Sequence, residues 1–287
     1  MRRVIVGTFR LIAALAVAGC GAAAGENPRP QGAPDVVVIT VSGHVGVLTS
    51  TNCTSADNRS YLGDAGQAAE AIALTFGNLG FSGLVAHYAD VFDGIDADKD
   101  GMTDDPEARG FLQLLVLLQD LHDNWISGFD NPTRIVIVAH GHGAVWAHMA
   151  ASVLSHVPIE YLITLDGICE LWECEYQTVV ADWLAANGDP YPWDISRPCG
   201  LWPVNGQTGD FDTSDVVFDN VRHNLEVQSN DPDFRDEVDN FRLDGTRTDV
   251  NTFFSANEGH HDVRMASSAA LTWVDQRIRT IELLSGP

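Results

Sequence analysis

Basic residues are scarce in this chain. Lys and Arg total 16 against 40 Asp and Glu, a formal net charge of −24 over 287 residues. So acidic a body repels nucleic acid and anionic lipid head groups, which carry dense negative charge of their own. Nucleic-acid partners are therefore excluded, and the plain role of the charge is solubility. Long apolar segments are scarce too. The run Leu11–Ala18 is shorter than the roughly 20 residues a helix needs to cross a bilayer, and no second long run follows. There is no internal repeat. The five cysteines include no Cys-x-x-Cys pair, which argues against a cysteine-ligated zinc site.

What is present begins with a targeting segment. Arg2, Arg3 and Arg10 supply a positive region, Leu11–Ala18 an apolar one, and Val17-Ala18-Gly19-Cys20 matches a bacterial lipobox. Residues 1–19 are read as a lipoprotein signal peptide and Cys20 as the lipidated first residue of the mature chain. Its removal takes the net charge to −27, since three arginines and no acid leave with it. Gly21, rather than Asp, follows Cys20, so the expected location is the bacterial cell envelope, at the outer membrane or cell surface. The lipid would anchor the protein without spanning the membrane. Residues 20–34 are small and rich in Pro and Gly, and read as a flexible tether. The remaining cysteines, Cys53, Cys169, Cys174 and Cys199, form an even set in an exported protein and predict two disulfides. Three pairings are open; the small loop Cys169–Cys174 leaves Cys53 for Cys199.

From residue 35 on, strand and helix signals alternate over the length of one domain. Residues 35–41 are an unbroken β-branched run, as in a parallel strand covered on both faces. Strands are also predicted over 82–88, 134–138, 161–165, 224–228 and 252–256. Helices are predicted over 66–79, 111–126, 144–156 and 269–284. Residues 170–222 are irregular, rich in Trp, Pro, Gly and Asp, and suit a cap inserted over the sheet edge. The predicted fold class is α/β: a mostly parallel sheet flanked by helices, with an irregular cap insertion, over residues 35–287.

The most informative stretch is Arg134-Ile-Val-Ile-Val-Ala139-His140-Gly141-His142-Gly143-Ala144, a buried strand running through a tight turn into a helix. On these residues and on the order of elements, residues 35–287 resemble the α/β-hydrolase lipases and esterases. Their nucleophile elbow reads small-x-Ser-x-Gly. Here Gly141 stands where the attacking serine would be. The resemblance implies an oxyanion hole made of the backbone N–H of His142 and of the loop at His44 and Val45. It implies an acid at Asp166, in Leu165-Asp166-Gly167, or alternatively at Asp231. It implies a histidine at His261, with His260 beside it as the alternative. His142 is the alternative nucleophile. A metal cluster of His44, His142, Asp166 and His261 would require four separate loops to converge. A serine triad without its serine loses about 10⁶ in rate. Glycine, however, adopts freely the backbone angles that cost another residue roughly 1–3 kcal/mol at such a turn.

A second motif is Asp96-Ala-Asp98-Lys-Asp100-Gly101-Met102-Thr103-Asp104-Asp105-Pro106-Glu107. Asp96, Asp98, Asp100, the Met102 carbonyl, Asp104 and Glu107 occupy the ligand positions of an EF-hand-type calcium loop, with Gly101 at the sharp turn. Thr103 replaces the usual aliphatic residue, and Pro106 precedes the last ligand. The combined expectation is a lipid-anchored, α/β-hydrolase-like protein, degenerate at its nucleophile, that retains binding of a small acyl or ester ligand. Two alternatives stand beside it. One is an active carboxylic-ester hydrolase with a non-standard nucleophile; the other is a calcium-stabilised structural surface lipoprotein.

Overall fold

A computed structural model of the chain describes residues 27–44, 59–94, 109–188, 191, 194–200 and 202–285. The Cys20 lipobox, Val45, Cys53 and the whole Asp96–Glu107 motif lie outside the described residues.

Strand β1 (Val36–Val41) is buried along its full length, and its side chains alternate between two cores. Val37, Ile39 and Val41 face one core; Val36 and Val38 face the other. Strand β3 (Arg134–His140) repeats the pattern, with Ile135, Ile137 and Ala139 on the first side and Val136 and Val138 on the second. This is the period-2 alternation of a strand covered on both faces, which is why both sequences read as continuous apolar runs. Each such side chain, fully buried, contributes roughly 1.5–3 kcal/mol.

The main sheet has six strands in the order β2-β1-β3-β4-β6-β8, all parallel. The other four are β2 (Gly83–Tyr88), β4 (Ile159–Leu165), β6 (Val221–Gln228) and β8 (Val250–Phe254). Helices α1 (Ala68–Asn78) and α5 (Ala269–Ser285) cover one face through Ile72, Phe76, Leu271, Val274 and Ile278. Helices α2 (Phe111–Leu121) and α3 (His142–Val153) cover the other. Every residue of α3 from His142 to Ser152 is buried, so this helix lies inside the protein rather than on it. A small parallel pair, β5 (Val216–Val217) with β7 (Phe241–Arg242), sits apart from the main sheet. This arrangement fits an α/β-hydrolase-like fold. Among the described residues no helix is long and apolar enough to cross a membrane.

The chain steps from β1 outward to β2, then crosses back to β3 on the other side of β1. Ligands of parallel sheets sit beyond the C-terminal strand ends at such a reversal. The loops that meet there are Ser42–His44 and the turn at Gly141. Gly143 and Gly43 allow that approach: a β-carbon on Gly143 would lie 2.1 Å from the Val41 carbonyl oxygen, and one on Gly43 2.3 Å from that of His140.

Two expectations are corrected. The 170–222 segment contains a regular helix, α4 (Trp172–Asn187), which buries Trp172, Tyr176 and Val180 at i, i+4 and i+8. The acids and the cysteine between those positions hide the stripe in the sequence. Cys169 pairs with Cys199, with Cα atoms 5.5 Å apart, and not with Cys174. Cys174 is disulfide-bonded as well. The start of α4 falls between Cys169 and Cys174, so the short loop that proximity suggested does not form.

Candidate active site

The turn after β3 is built by one residue. Gly141 has φ 55° and ψ −130°, in the left-handed half of backbone space that favours glycine, and α3 starts at His142. As the first residue of the helix, His142 has a backbone N–H with no acceptor inside the helix, and its nitrogen would lie 3.0 Å from a β-carbon on Gly43 of the β1 loop.

His140, just before the turn, is buried and links three segments. The Gly43 N–H donates to the Tyr61 oxygen at 2.9 Å, the Tyr61 hydroxyl donates to His140 Nδ1, and His140 Nε2–H donates to the His260 carbonyl at 2.8 Å. Burial pushes the His140 pKa well below its ordinary value, so the ring serves as a neutral connector. The relay fixes the β1 loop, the elbow and the backbone of His260 relative to one another.

The imidazole that meets the elbow is His260. Its Nδ1 lies 2.7 Å from Asp166 Oδ2. Asp166 directly follows β4 with φ 52° and is fully buried. Its Oδ1 accepts the backbone N–H groups of Ser229 at 2.8 Å and Asp236 at 3.0 Å. With Nδ1–H donated to the carboxylate, His260 presents the lone pair of Nε2. A β-carbon on Gly141 would lie 3.2 Å from that Nε2. A hydroxyl one bond further would reach hydrogen-bond distance after a small adjustment. Among the described residues no side chain donates to or accepts from His260 Nε2.

The neighbouring residues do other things. His261, expected at this position, is exposed, its ring 5.4 Å from that of His260. Val263, two residues on, is buried in the α1–α5 core. Asp231 closes its own turn by accepting the N–H groups of Asp233 and Phe234, and makes no contact with an imidazole nitrogen. His142 does not face the turn as an attacking group. Its ring is buried and Nε2–H donates to the Glu170 carbonyl at 2.7 Å.

His142 and His44 do come together, but with Asp90 and Glu175 rather than with Asp166 and His261. His142 Nδ1 is 3.3 Å from Asp90 Oδ2 and 4.0 Å from Glu175 Oε2, and His44 Nδ1 is 3.6 Å from Glu175 Oε2. Asp90 lies in the loop after β2 and Glu175 is one of several acids near the start of α4, so neither carries a motif signal.

A cleft of about 160 Å³ opens beside the Asp166 loop. Ile168, Phe234 and Val238 line it together with Asp212, Asp215 and Asp236. The Phe234 ring is 6.3 Å from that of His260, so the cleft adjoins the Asp–His pair. Burial and the neighbouring Asp212 charge push the Asp215 pKa up to about 9. A larger cavity, about 510 Å³, is lined by Ser155, His156 and Pro158, ahead of β4, and by residues around the start of β6, away from the elbow.

No family model matches the chain, and no curated protein matches it. Among solved structures it is similar to Est1E from Butyrivibrio proteoclasticus with bound ferulic acid, at 14% identity and a TM-score of 0.39, covering 89% of this chain and 92% of that one. A second structure of Est1E matches at 12% identity and a TM-score of 0.36, covering 90% and 89%. The fold assignment rests on the strand order and the turn at Gly141.

Proposed function

We propose that this chain is a serine-hydrolase scaffold that has lost its nucleophile and is silent as an esterase. It is held on the bacterial envelope by lipid on Cys20. It binds a small ester or acyl compound rather than cleaving it. The observation that carries the reading is the 3.2 Å between His260 Nε2 and the β-carbon position of Gly141. Asp166 orients His260, His260 offers a base, and the base faces a residue with nothing to deprotonate. The His142 backbone N–H would receive a carbonyl oxygen of the ligand, as an oxyanion hole does.

The adjoining cleft narrows the ligand. At about 160 Å³ it takes a short acyl group. Glu170, Asp233 and Glu237 also line it against a single base, Arg235, so the cleft disfavours an anion and the ligand is neutral or cationic. Calcium in the Asp96–Glu107 loop would add rigidity between β2 and α2 without entering the chemistry.

Hydrolysis of p-nitrophenyl acetate tests the proposal. The wild-type protein is expected to show no turnover above the uncatalysed rate beyond a weak residual effect, and G141S to hydrolyse the ester. Wild-type turnover abolished by a serine-directed reagent would refute it.

A further inference from the structure

We propose that His44, Asp90, His142 and Glu175 form a binding site for a divalent transition-metal ion of the zinc class, at the C-terminal edge of the sheet on the β1–β2 side of the elbow. The site does not rest on the hydrolase reading, because a metal ion binds there whether or not the elbow ever carried a nucleophile.

Four donor atoms, one from each side chain, lie within 4.8 Å of one another. Zinc bonds of about 2.0–2.1 Å at tetrahedral angles place ligand atoms about 3.4 Å apart. Three of the six separations, 3.3, 3.6 and 4.0 Å, lie around that spacing and the rest are within 4.8 Å, so the set contracts around an ion to close. The donor set is two imidazole nitrogens and two carboxylate oxygens. Nitrogen donors and a count of four suit zinc, and suit neither calcium nor magnesium, which take six or more oxygens.

The surroundings hold these groups for an ion. The His142 side chain is 2% exposed and that of Asp90 is fully buried. Yet His142 Nδ1, Asp90 Oδ2 and His44 Nδ1 have no hydrogen-bond partner. Buried polar atoms without partners are costly, and native proteins leave few of them. The opposite end of each of two ligands is anchored. His142 Nε2–H donates to the Glu170 carbonyl, which leaves the Nδ1 lone pair for a metal. Asp90 Oδ1 accepts from Trp146 Nε1 at 2.6 Å, and Tyr176 O–H donates to the Asp90 carbonyl, which leaves Oδ2 pointing inward. Outer hydrogen bonds of this kind orient metal ligands. Among the described residues Asp90 faces no Lys or Arg; its neighbour across the cluster is His142 Nδ1 at 3.3 Å, and a dication between the two would compensate the carboxylate. A filled four-ligand site is closed, and its role is to clamp the β1 loop, the end of β2, the start of α3 and the start of α4 together.

The experiment uses full-length protein, stripped with a chelator and titrated separately with Zn²⁺, Co²⁺ and Ca²⁺. The expected result is equimolar zinc uptake with a raised Tm. The cobalt form should show the intense visible bands of a tetrahedral ion, and calcium should not compete. H44A and D90N, each verified as folded by circular dichroism, should weaken zinc binding by at least about 100-fold. Absence of zinc uptake by folded wild-type protein would overturn the proposal, and so would unchanged zinc affinity in both variants. A pale octahedral cobalt spectrum would overturn it as well. The ester assay is not part of the readout, so failure here and failure of the esterase-derived reading are distinguishable.

Discussion

Two polar clusters flank Gly141, and they differ in how complete they are. On the β4 side, both oxygens of Asp166 and the Nδ1 of His260 are hydrogen-bonded, and only His260 Nε2 is left open toward the elbow. On the β1–β2 side, His44 Nδ1, Asp90 Oδ2 and His142 Nδ1 are sealed from water with no hydrogen bond. In the first cluster the acid and the base satisfy each other. In the second, buried ligand-type atoms face one another without a hydrogen bond, which is where a cation would fit.

The largest expected effect comes from breaking the complete side. D166A strands two backbone N–H groups and the His260 Nδ1–H in the interior. It should destabilise the protein by about 3–5 kcal/mol in urea unfolding, as removal of one partner from a buried pair does. The matching change on the incomplete side has the opposite sign. D90N in metal-free protein gives a side-chain N–H that can donate to His142 Nδ1. It should leave stability unchanged or raise it by about 1 kcal/mol, a Tm gain of roughly 2–4 °C for a chain of this size. With zinc present the order of wild type and D90N should reverse. A large loss in metal-free D90N would show that the two sides are alike.

A third group sharpens the contrast through pH. Asp215, raised to about 9, and Glu226, raised to about 7, are both pushed up chiefly by burial. A carboxyl whose folded pKa exceeds its unfolded value near 4 binds more protons folded than unfolded between those limits. Its stabilisation is therefore complete below the unfolded pKa and is lost as pH rises toward the folded one. The Tm should fall from pH 4 to pH 9, and D215N should flatten the upper part of that slope. A Tm that rises across this window would contradict the assignment. The smallest effect is expected at His261. It is exposed and outside the Asp166 pair, so H261A should change stability by less than about 0.5 kcal/mol.

Much of the frame was legible in the sequence. The β-branched runs of β1 and β3 and the glycine turn marked the sheet centre, and Leu165-Asp166-Gly167 marked the residue that meets the imidazole. The rest depended on tertiary choices. Two adjacent histidines offer the same chemistry, and the one turned inward is the one whose ring meets Asp166 and whose carbonyl meets His140. The Cys169–Cys199 pair depends on a helix start that the composition of 170–222 obscured. The His44 cluster depends on Asp90 and Glu175, single acids among 40, brought together by packing of β2 and α4 against the elbow. Periodicity cannot register a convergence of that kind.

If the turn lacks only an attacking oxygen, a fluorophosphonate probe read by mass spectrometry should leave an adduct at position 141 in G141S, and none in the wild type or in the G141S/H260A double variant. Labelling of the wild type, or an unlabelled but folded G141S, would rule that out.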